Sequence, residues 1–210
     1  MTAESPVPPA RVVGAVLCGG RSRRLGRDKA LVEVGGVPLA LRVAGAMRTA
    51  GVDPVVAVGG TAGGVLGLPT VADRHPDSGP LAALATALWW ARTGLVVVAA
   101  CDLALLTGDH VAALVAAADA GTAAVAEIDG VVEPSLGCWP AGARSAVAGA
   151  VGRGHRAWRD ALTVVAHRTV TLPAEAGVDV DTEDAVGEVR RRLGSRDPDP
   201  TNEPTTPPSS

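Results

Sequence analysis

The sequence predicts an α/β domain on a mostly parallel sheet, and three observations carry that prediction. Unbroken apolar runs, RVVGAVL at 11–17 and LVVVAA at 95–100, suit strands buried on both faces. Helically spaced segments alternate with such runs, which implies right-handed strand–helix–strand crossovers. A length of 210 residues with 47% hydrophobic content suffices for one domain with a sizeable core.

The elements follow in order. Residues 11–17 form the first strand and empty into a loop holding Gly19, Gly20 and Gly26. Pro38 suits the first turn of a helix whose Leu39, Val43, Ala46 and Met47 share one face until Gly51 ends it. Residues 55–58 are the next strand, 61–67 are too rich in Gly for either regular state, and 68–72 are a short strand ending at Asp73. A helix over 81–92 leads to the strand at 95–100, which closes on Cys101-Asp102; Thr107 or Asp109 then caps a helix through Ala118. Strands at 122–127 and 131–139, joined by a turn at Asp129-Gly130, break the alternating rhythm. Two short helical patterns follow Pro140, then a strand at 164–172 and a final helix at 183–193. The domain is expected to span 11–193, with disordered tails at 1–10 and 194–210 that are poor in apolar periodicity.

Composition excludes several function classes. With 19 basic against 22 acidic residues, net charge −3, the chain has no overall field to hold nucleic acid or an anionic membrane. Four Trp and neither Phe nor Tyr leave little material for stacking single-stranded bases. The longest apolar runs fall far short of the roughly 20 residues that cross a bilayer, and residues 1–10 lack the pattern of a secretory signal, so a cytoplasmic location is expected. Cys18, Cys101 and Cys138 are an odd set without metal-ligand spacing and are read as small hydrophobes. Of the 19 basic residues 18 are Arg, and Lys29 alone is Lys. Lysine is a compact, rotatable point charge where arginine is a rigid fork, so a lone Lys in a Gly-rich loop is a candidate chemical requirement.

That loop, LCGGRSRRLGRDKAL from 17 to 31, combines three glycines with five basic side chains at the end of a buried strand. Its backbone can approach an anion closely, and Arg21, Arg23, Arg24, Arg27 and Lys29 can offset a triphosphate. It fits neither the Walker A nor the dinucleotide fingerprint, and a solvated basic turn is the bland alternative. In such sheets ligands bind beyond the carboxyl ends of the strands, where the loops after Leu17, Val58, Ala72 and Ala100 meet. Asp102 stands there as a candidate anchor for Mg²⁺, which takes one or two carboxylates plus substrate phosphate oxygens; a capping Asp is the alternative, and Asp73 shares the ambiguity. The segment SGPLAAL at 78–84 should start a helix with N–H groups left free for a base or ribose, unless it is ordinary helix-entry punctuation. DVDTED at 179–184 concentrates acids before the last helix, as N-capping alone would. His110 and His167 are read as structural. His155, Arg156, Arg153 and Arg159 form either a grip for a second phosphorylated substrate or a solvated helix face.

Taken together, the Gly-rich loop, Asp73, SGPLAAL, Cys101-Asp102, EPSL at 133–136 and DVDTED resemble the molybdenum cofactor guanylyltransferase family over about 12–193. The resemblance implies a three-layer Rossmann-like sandwich of the nucleotide-diphospho-sugar transferase type. It implies an enzyme that transfers GMP from GTP to molybdopterin or its molybdenum form and releases pyrophosphate. By the same resemblance Leu17, Gly19 and Gly20 hold guanine and ribose, Lys29 acts on the triphosphate and Asp73 contacts nucleotide; Cys18, between them, is a candidate binding residue, and Arg24 of the basic loop a candidate catalytic cation beside Lys29. Asp102 matches the magnesium aspartate, and Arg156, Asp179 and Asp181 fall near positions associated with the pterin substrate. Molybdoenzyme maturation proteins are the implied protein partners.

The sequence departs from the family pattern with Cys18 for Ala, Leu25 for Met, Ala83 for Gly and Glu183 in place of Pro after Thr182. Ala83 matters most, because a methyl group there is placed to block close approach of backbone to ligand. Cytidylyl transfer, a sugar-phosphate acceptor and nucleotide binding without turnover are the alternatives; the double glycine Gly19-Gly20 favours GTP. A phosphate monoester nucleophile is already ionised near neutral pH, so the lack of a general base is no objection, and Lys29, Arg24 and Asp102-bound Mg²⁺ would stabilise the developing charge from opposite sides of the triphosphate.

Overall fold

In the computed structural model, which describes residues 11–19 and 28–194, a seven-stranded sheet separates two layers of helices. The two expected tails, apart from Gly194, lie outside the described residues, as do Gly20 and Arg24 of the Gly-rich loop. The strands are β1 (Val12–Leu17), β4 (Val55–Val58), β5 (Thr70–Val71), β6 (Leu95–Ala100), β7 (Ala123–Ile128), β8 (Val131–Pro140) and β9 (His167–Thr171), in spatial order β5-β4-β1-β6-β8-β7-β9. All run parallel except β8, which pairs antiparallel with β6 on one side and β7 on the other. Asp129 and Gly130, with φ of 51° and 77°, make the tight β7–β8 turn read from the sequence.

Alternation along β1 feeds both layers. Val16 packs toward α1 (Leu39–Thr49) and α4 (Gly108–Ala117), against Val43, Met47, Val111 and Leu114. Val13, Ala15 and Leu17 face α3 (Pro80–Ala91) and α5 (Arg144–Gly152), against Leu81, Leu84, Leu88 and Val147. Each fully buried Leu in these layers contributes roughly 1.5–3 kcal/mol. Gly14 sets the spacing of the first layer, because a Cβ there would sit 2.8 Å from Met47 Sδ. Helix α4 begins at Thr107, whose hydroxyl accepts from His110 N–H while His110 Nδ1 accepts from Thr107 N–H, so His110 is structural as expected.

Three local features differ from the sequence reading. Residues 33–38 form a small antiparallel hairpin, β2 (Glu33–Val34) and β3 (Val37–Pro38), turning on Gly35-Gly36; Pro38 therefore ends a strand, and α1 starts at Leu39. Within the Gly-rich stretch at 61–67 a single helical turn, α2 (Ala62–Val65), forms. Gly63 makes this possible, since a side chain there would meet the Ala57 methyl at 2.6 Å. The late strand is shorter than its apolar pattern, because Val164 and Val165 N–H donate back to Ala161 O and pairing with β7 starts only at His167. The hairpin, the loop after β6 and the last helix α6 (Glu183–Gly194) share a third apolar cluster around Leu39, Leu105, Val180 and Val189, which brings the acidic segment at 179–184 back to the carboxyl edge of the sheet.

Candidate active site

Two strand tips begin the site. Cys18 and Cys101 follow β1 and β6, and Cys101 N–H donates to Leu17 O at 3.2 Å, so these neighbours continue the parallel register Leu17–Ala100. All three cysteines are free and buried, as small hydrophobes should be. Burial pushes the Cys138 thiol up to about 12, and a hydrogen bond with Cys18 together with burial raises Cys101. The backbone at Cys18-Gly19 is backed by Gly59 and Gly60 of the loop after β4. Both have positive φ, and a Cβ on Gly60 would lie 2.6 Å from Cys18 O.

Asp28 opens the 3₁₀ turn Lys29–Leu31 by accepting from Ala30 N–H at 3.0 Å, which aims Lys29 at the edge. Lys29 Nζ lies 3.0 Å from Asp102 Oδ2 and also contacts Asp181 Oδ1; the side chains of Lys29 and Asp102 are 21% and 18% exposed. Sequence reasoning puts the two on opposite sides of a ligand, whereas the structure has them in direct contact. Asp102 is fixed from behind, where its carbonyl accepts from Val180 N–H at 3.1 Å. The DVDTED segment therefore does more than cap α6: it delivers Asp181 to the lysine and Asp179 to a bridge with Leu103.

A cleft of about 180 Å³ opens on this edge, lined by Leu17, Cys18, Gly19, Asp28, Lys29, Cys101 and Asp102 on one side and by Pro80, Ala83 and Trp158 on the other. The second wall depends on Gly79, whose φ is 83°; a Cβ there would meet Arg156 O at 2.9 Å. Arg156 O accepts from Leu81 N–H, and Gly79 O accepts from Ala82 N–H, both at 3.1 Å. The N–H groups expected to be free for a base or ribose are thus already used, and α3 offers the cleft apolar side chains instead. Asp73 lies outside the lining. Its Oδ1 accepts from His75 N–H at 3.0 Å and from the Thr86 hydroxyl at 3.1 Å, tying the tip of β5 to α3.

A second cleft, about 350 Å³, adjoins the first and shares Ala100, Asp102 and Trp158 with it. Its other walls are Leu103, Ile128, Glu133, Ser135, Leu136, Gly177 and Asp179. Burial, reinforced by the neighbouring Asp179, pushes the Glu133 carboxyl above its ordinary value. Trp158 is held at the junction by Asp160, whose carboxylate accepts from Arg156 N–H and Ala157 N–H at 3.0 and 2.9 Å; those N–H groups hold Asp160 below the usual carboxylate range. The Arg156 guanidinium donates to Val151 O and His155 O, and His155 Nδ1 lies 3.6 Å from Asp160, so half of the expected basic grip is engaged in its own segment.

Between the strand tips, then, lie a glycine-backed cleft with one ammonium, an aspartate at its far end, and a second cleft beginning at that aspartate. The family profile of the MobA-like NTP transferase domain matches residues 14–169. The chain belongs to that family. The molybdenum cofactor guanylyltransferase of Cereibacter sphaeroides is 37% identical over 138 residues, 62% of this chain and 69% of that one. A probable molybdenum cofactor guanylyltransferase of Opitutus terrae is 32% identical over 173 residues, covering 78% of this chain and 86% of its own length. Among solved structures, molybdopterin-guanine dinucleotide biosynthesis protein A from Archaeoglobus fulgidus superposes with a TM-score of 0.68 at 22% identity, over 87% of this chain and 98% of that one. The fold is thus the nucleotidyltransferase α/β sandwich that the sequence resemblance implies.

Of the site residues read from the sequence, Leu17, Cys18, Gly19, Lys29 and Asp102 meet in the first cleft, Asp102 and Asp179 line the second, and Asp181 touches Lys29. Sequence reasoning missed Gly59 and Gly60, although a double glycine directly after a buried strand is a usable signal. It also gave no role to Trp158 or Glu133. The GRGHRAW stretch was legible only as basic, and EPSL only as part of a family pattern.

Proposed function

We propose that this chain transfers GMP from GTP to the phosphate of molybdopterin or its molybdenum form, releasing pyrophosphate. The observation that carries the reading is the pair of clefts meeting at Asp102, which offers one cleft to each substrate and a junction at which the bond is exchanged. In the first cleft the Cys18-Gly19 backbone and the apolar wall of Pro80 and Ala83 hold the nucleoside, while Lys29 holds the triphosphate and offsets charge on the leaving pyrophosphate. Arg24 belongs to the same loop, on its undescribed part, and adds a second cation to the phosphates. Asp73 contributes indirectly, bracing the loops behind the nucleotide.

The acceptor phosphate attacks the α-phosphorus in line. No side chain has to take a proton, because that phosphate is already ionised near neutral pH. Two hard carboxylates, Asp102 and Asp181, converge on one cationic atom, Lys29 Nζ, and this donor set suits a hard divalent cation. Mg²⁺ bound at Asp102 supplies Lewis-acid stabilisation of the triphosphate when present. Asp181 then has the task of positioning Lys29. Asp179 and the Arg156 segment border the acceptor. Ala83 meets the nucleotide through its methyl group, so the substitution at this position changes the apolar wall, not an amide contact.

No helix among the described residues is long and apolar enough to cross a membrane. A cytoplasmic location and hand-over to molybdoenzyme maturation proteins are part of this reading and follow from its substrates.

The test is pyrophosphate release with GTP or CTP, Mg²⁺ and molybdopterin, alongside a panel of sugar phosphates. Turnover with GTP and molybdopterin is expected. Turnover with CTP alone, or with a sugar phosphate in place of molybdopterin, overturns the assignment, and tight GTP binding without product in any acceptor panel points to a nucleotide sensor.

A further inference from the structure

The second cleft has walls of two kinds that no step of phosphate transfer uses. One is the carboxyl group of Glu133. Strand β8 pairs with β6 only as far as Leu136, opposite Ala99, so its leading residues run past the end of β6 while Val131–Glu133 stay paired with β7. Its pairing with β7 skips from Val125–Gly137 to Ala126–Glu133, a bulge spanning Pro134, which has no N–H to give to a ladder. Such a bulge re-aims the side chains beside it. Glu133 consequently lines the cleft next to Asp179, over Ile128 and Leu136, and accepts no hydrogen bond among the described residues. A partly desolvated carboxyl facing a second carboxyl calls for N–H donors, and it repels phosphate.

The other wall is the Trp158 indole. It is half-buried, stands at the boundary of both clefts and is fixed by the Asp160 cap. Of the four tryptophans it is the one that lines these clefts: Trp139 is fully buried, Trp90 packs against the α3–α5 layer, and Trp89 lies on the outer surface under Arg74.

We propose that Trp158 and Glu133 select the ring system of the acceptor: the indole supplies a stacking face for its flat pyrimidinone ring, and the Glu133 carboxylate accepts the adjacent N–H donors of that ring's 2-amino-4-oxo edge. The two oxygens of a carboxylate match two neighbouring donors in a bidentate pair, and stacking on an aromatic face tolerates any flat ring. The same carboxyls set the direction of binding. The ring occupies the acidic cleft and the phosphate arm turns toward Lys29 at Asp102. This rests on the pterin-phosphate acceptor proposed above.

The experiment compares a synthetic pterin bearing a phosphomonoester arm with the matching lumazine, in which oxygen replaces the 2-amino group, each with GTP and Mg²⁺. Molybdopterin itself serves as the positive acceptor. The wild-type chain is expected to prefer pterin by tenfold or more in kcat/KM. Glu133→Gln should raise the pterin KM about ten- to a hundredfold, the cost of a lost charge-assisted pair, with a much smaller change in kcat, and should narrow the pterin preference to about twofold. Trp158→Ala should raise the KM for both ring systems about tenfold and leave their ratio intact, and Trp158→Phe should recover most of the loss. Thermal melts and GTP calorimetry establish that each variant is folded, and Glu133→Asp, with a carboxylate drawn back by one methylene, stands in if Glu133→Gln is not. An unchanged pterin-to-lumazine ratio in the folded Glu133 variant, or a Trp158→Phe no better than Trp158→Ala, overturns the proposal while molybdopterin turnover continues. Failure of the wild-type chain to use molybdopterin at all removes the functional assignment and this inference with it.

Discussion

The two clefts on either side of Asp102 are built from the chain in different ways. The first takes its backbone from loops that directly follow parallel strands β1, β4 and β6, so contact with the ligand is set within a residue or two of a buried strand. The second is assembled from the overhang of an antiparallel strand, a 3₁₀ helix and the segment before the last helix, taken from positions between 100 and 179. The first is glycine-backed with a lysine, and the second carries carboxylates and an indole. Under the proposed function, the difference separates triphosphate binding, set at the strand tips, from acceptor choice, set in segments free to vary around them.

The largest effect should come from Asp102, the charged residue that the two clefts share. Asp102→Asn keeps the size of the side chain but weakens the cation site; turnover should fall by about two to three orders of magnitude and the Mg²⁺ optimum should move upward, with the melting temperature little changed. Near-normal turnover combined with a lowered melting temperature would show that Asp102 is only a cap. Lys29→Ala tests the first cleft alone. Both GTP affinity and kcat should drop, together about ten- to a hundredfold, and Lys29→Arg should recover only part of the loss because a planar fork does not replace a rotatable ammonium between Asp102 and Asp181.

Gly60→Ala tests whether the first cleft depends on its glycine backing. With φ of 64° and a Cβ 2.6 Å from Cys18 O, the substitution should cost roughly 1–3 kcal/mol in denaturant unfolding and weaken GTP binding. An equal loss of stability with unaltered GTP affinity would separate the loop's packing from its function. The smallest effect is the pH dependence of stability that Glu133 adds in the second cleft. Glu133 holds its proton more tightly folded than unfolded, so this group's contribution to stability falls as pH rises from the ordinary glutamate value through the raised one. Melts of wild type and Glu133→Gln across pH 4 to 7 should show the variant gaining on the wild type as pH rises; parallel curves would mean that Glu133 is better solvated than its surroundings imply.

The sandwich was legible in the chain, and so were the strand-tip residues Leu17, Cys18, Gly19, Lys29 and Asp102 that meet in the first cleft. Buried parallel strands read as unbroken apolar runs, and a phosphate loop needs glycines and cations within a few residues of such a strand, so both signals are local. The hairpin at 33–38 escaped because two residues per strand leave no measurable period, and Pro38 is as compatible with a strand end as with a helix start. Packing alone brings Lys29 to Asp102 and Asp181, residues 73 and 152 positions away. Only it placed Trp158 and Glu133 in one cavity and consumed the first N–H groups of α3 on Gly79 and Arg156. The physical reason is that these contacts depend on how far β8 overhangs β6 and how closely a glycine lets one loop approach another. Those distances are set by packing between layers, which leaves no periodic trace in the chain.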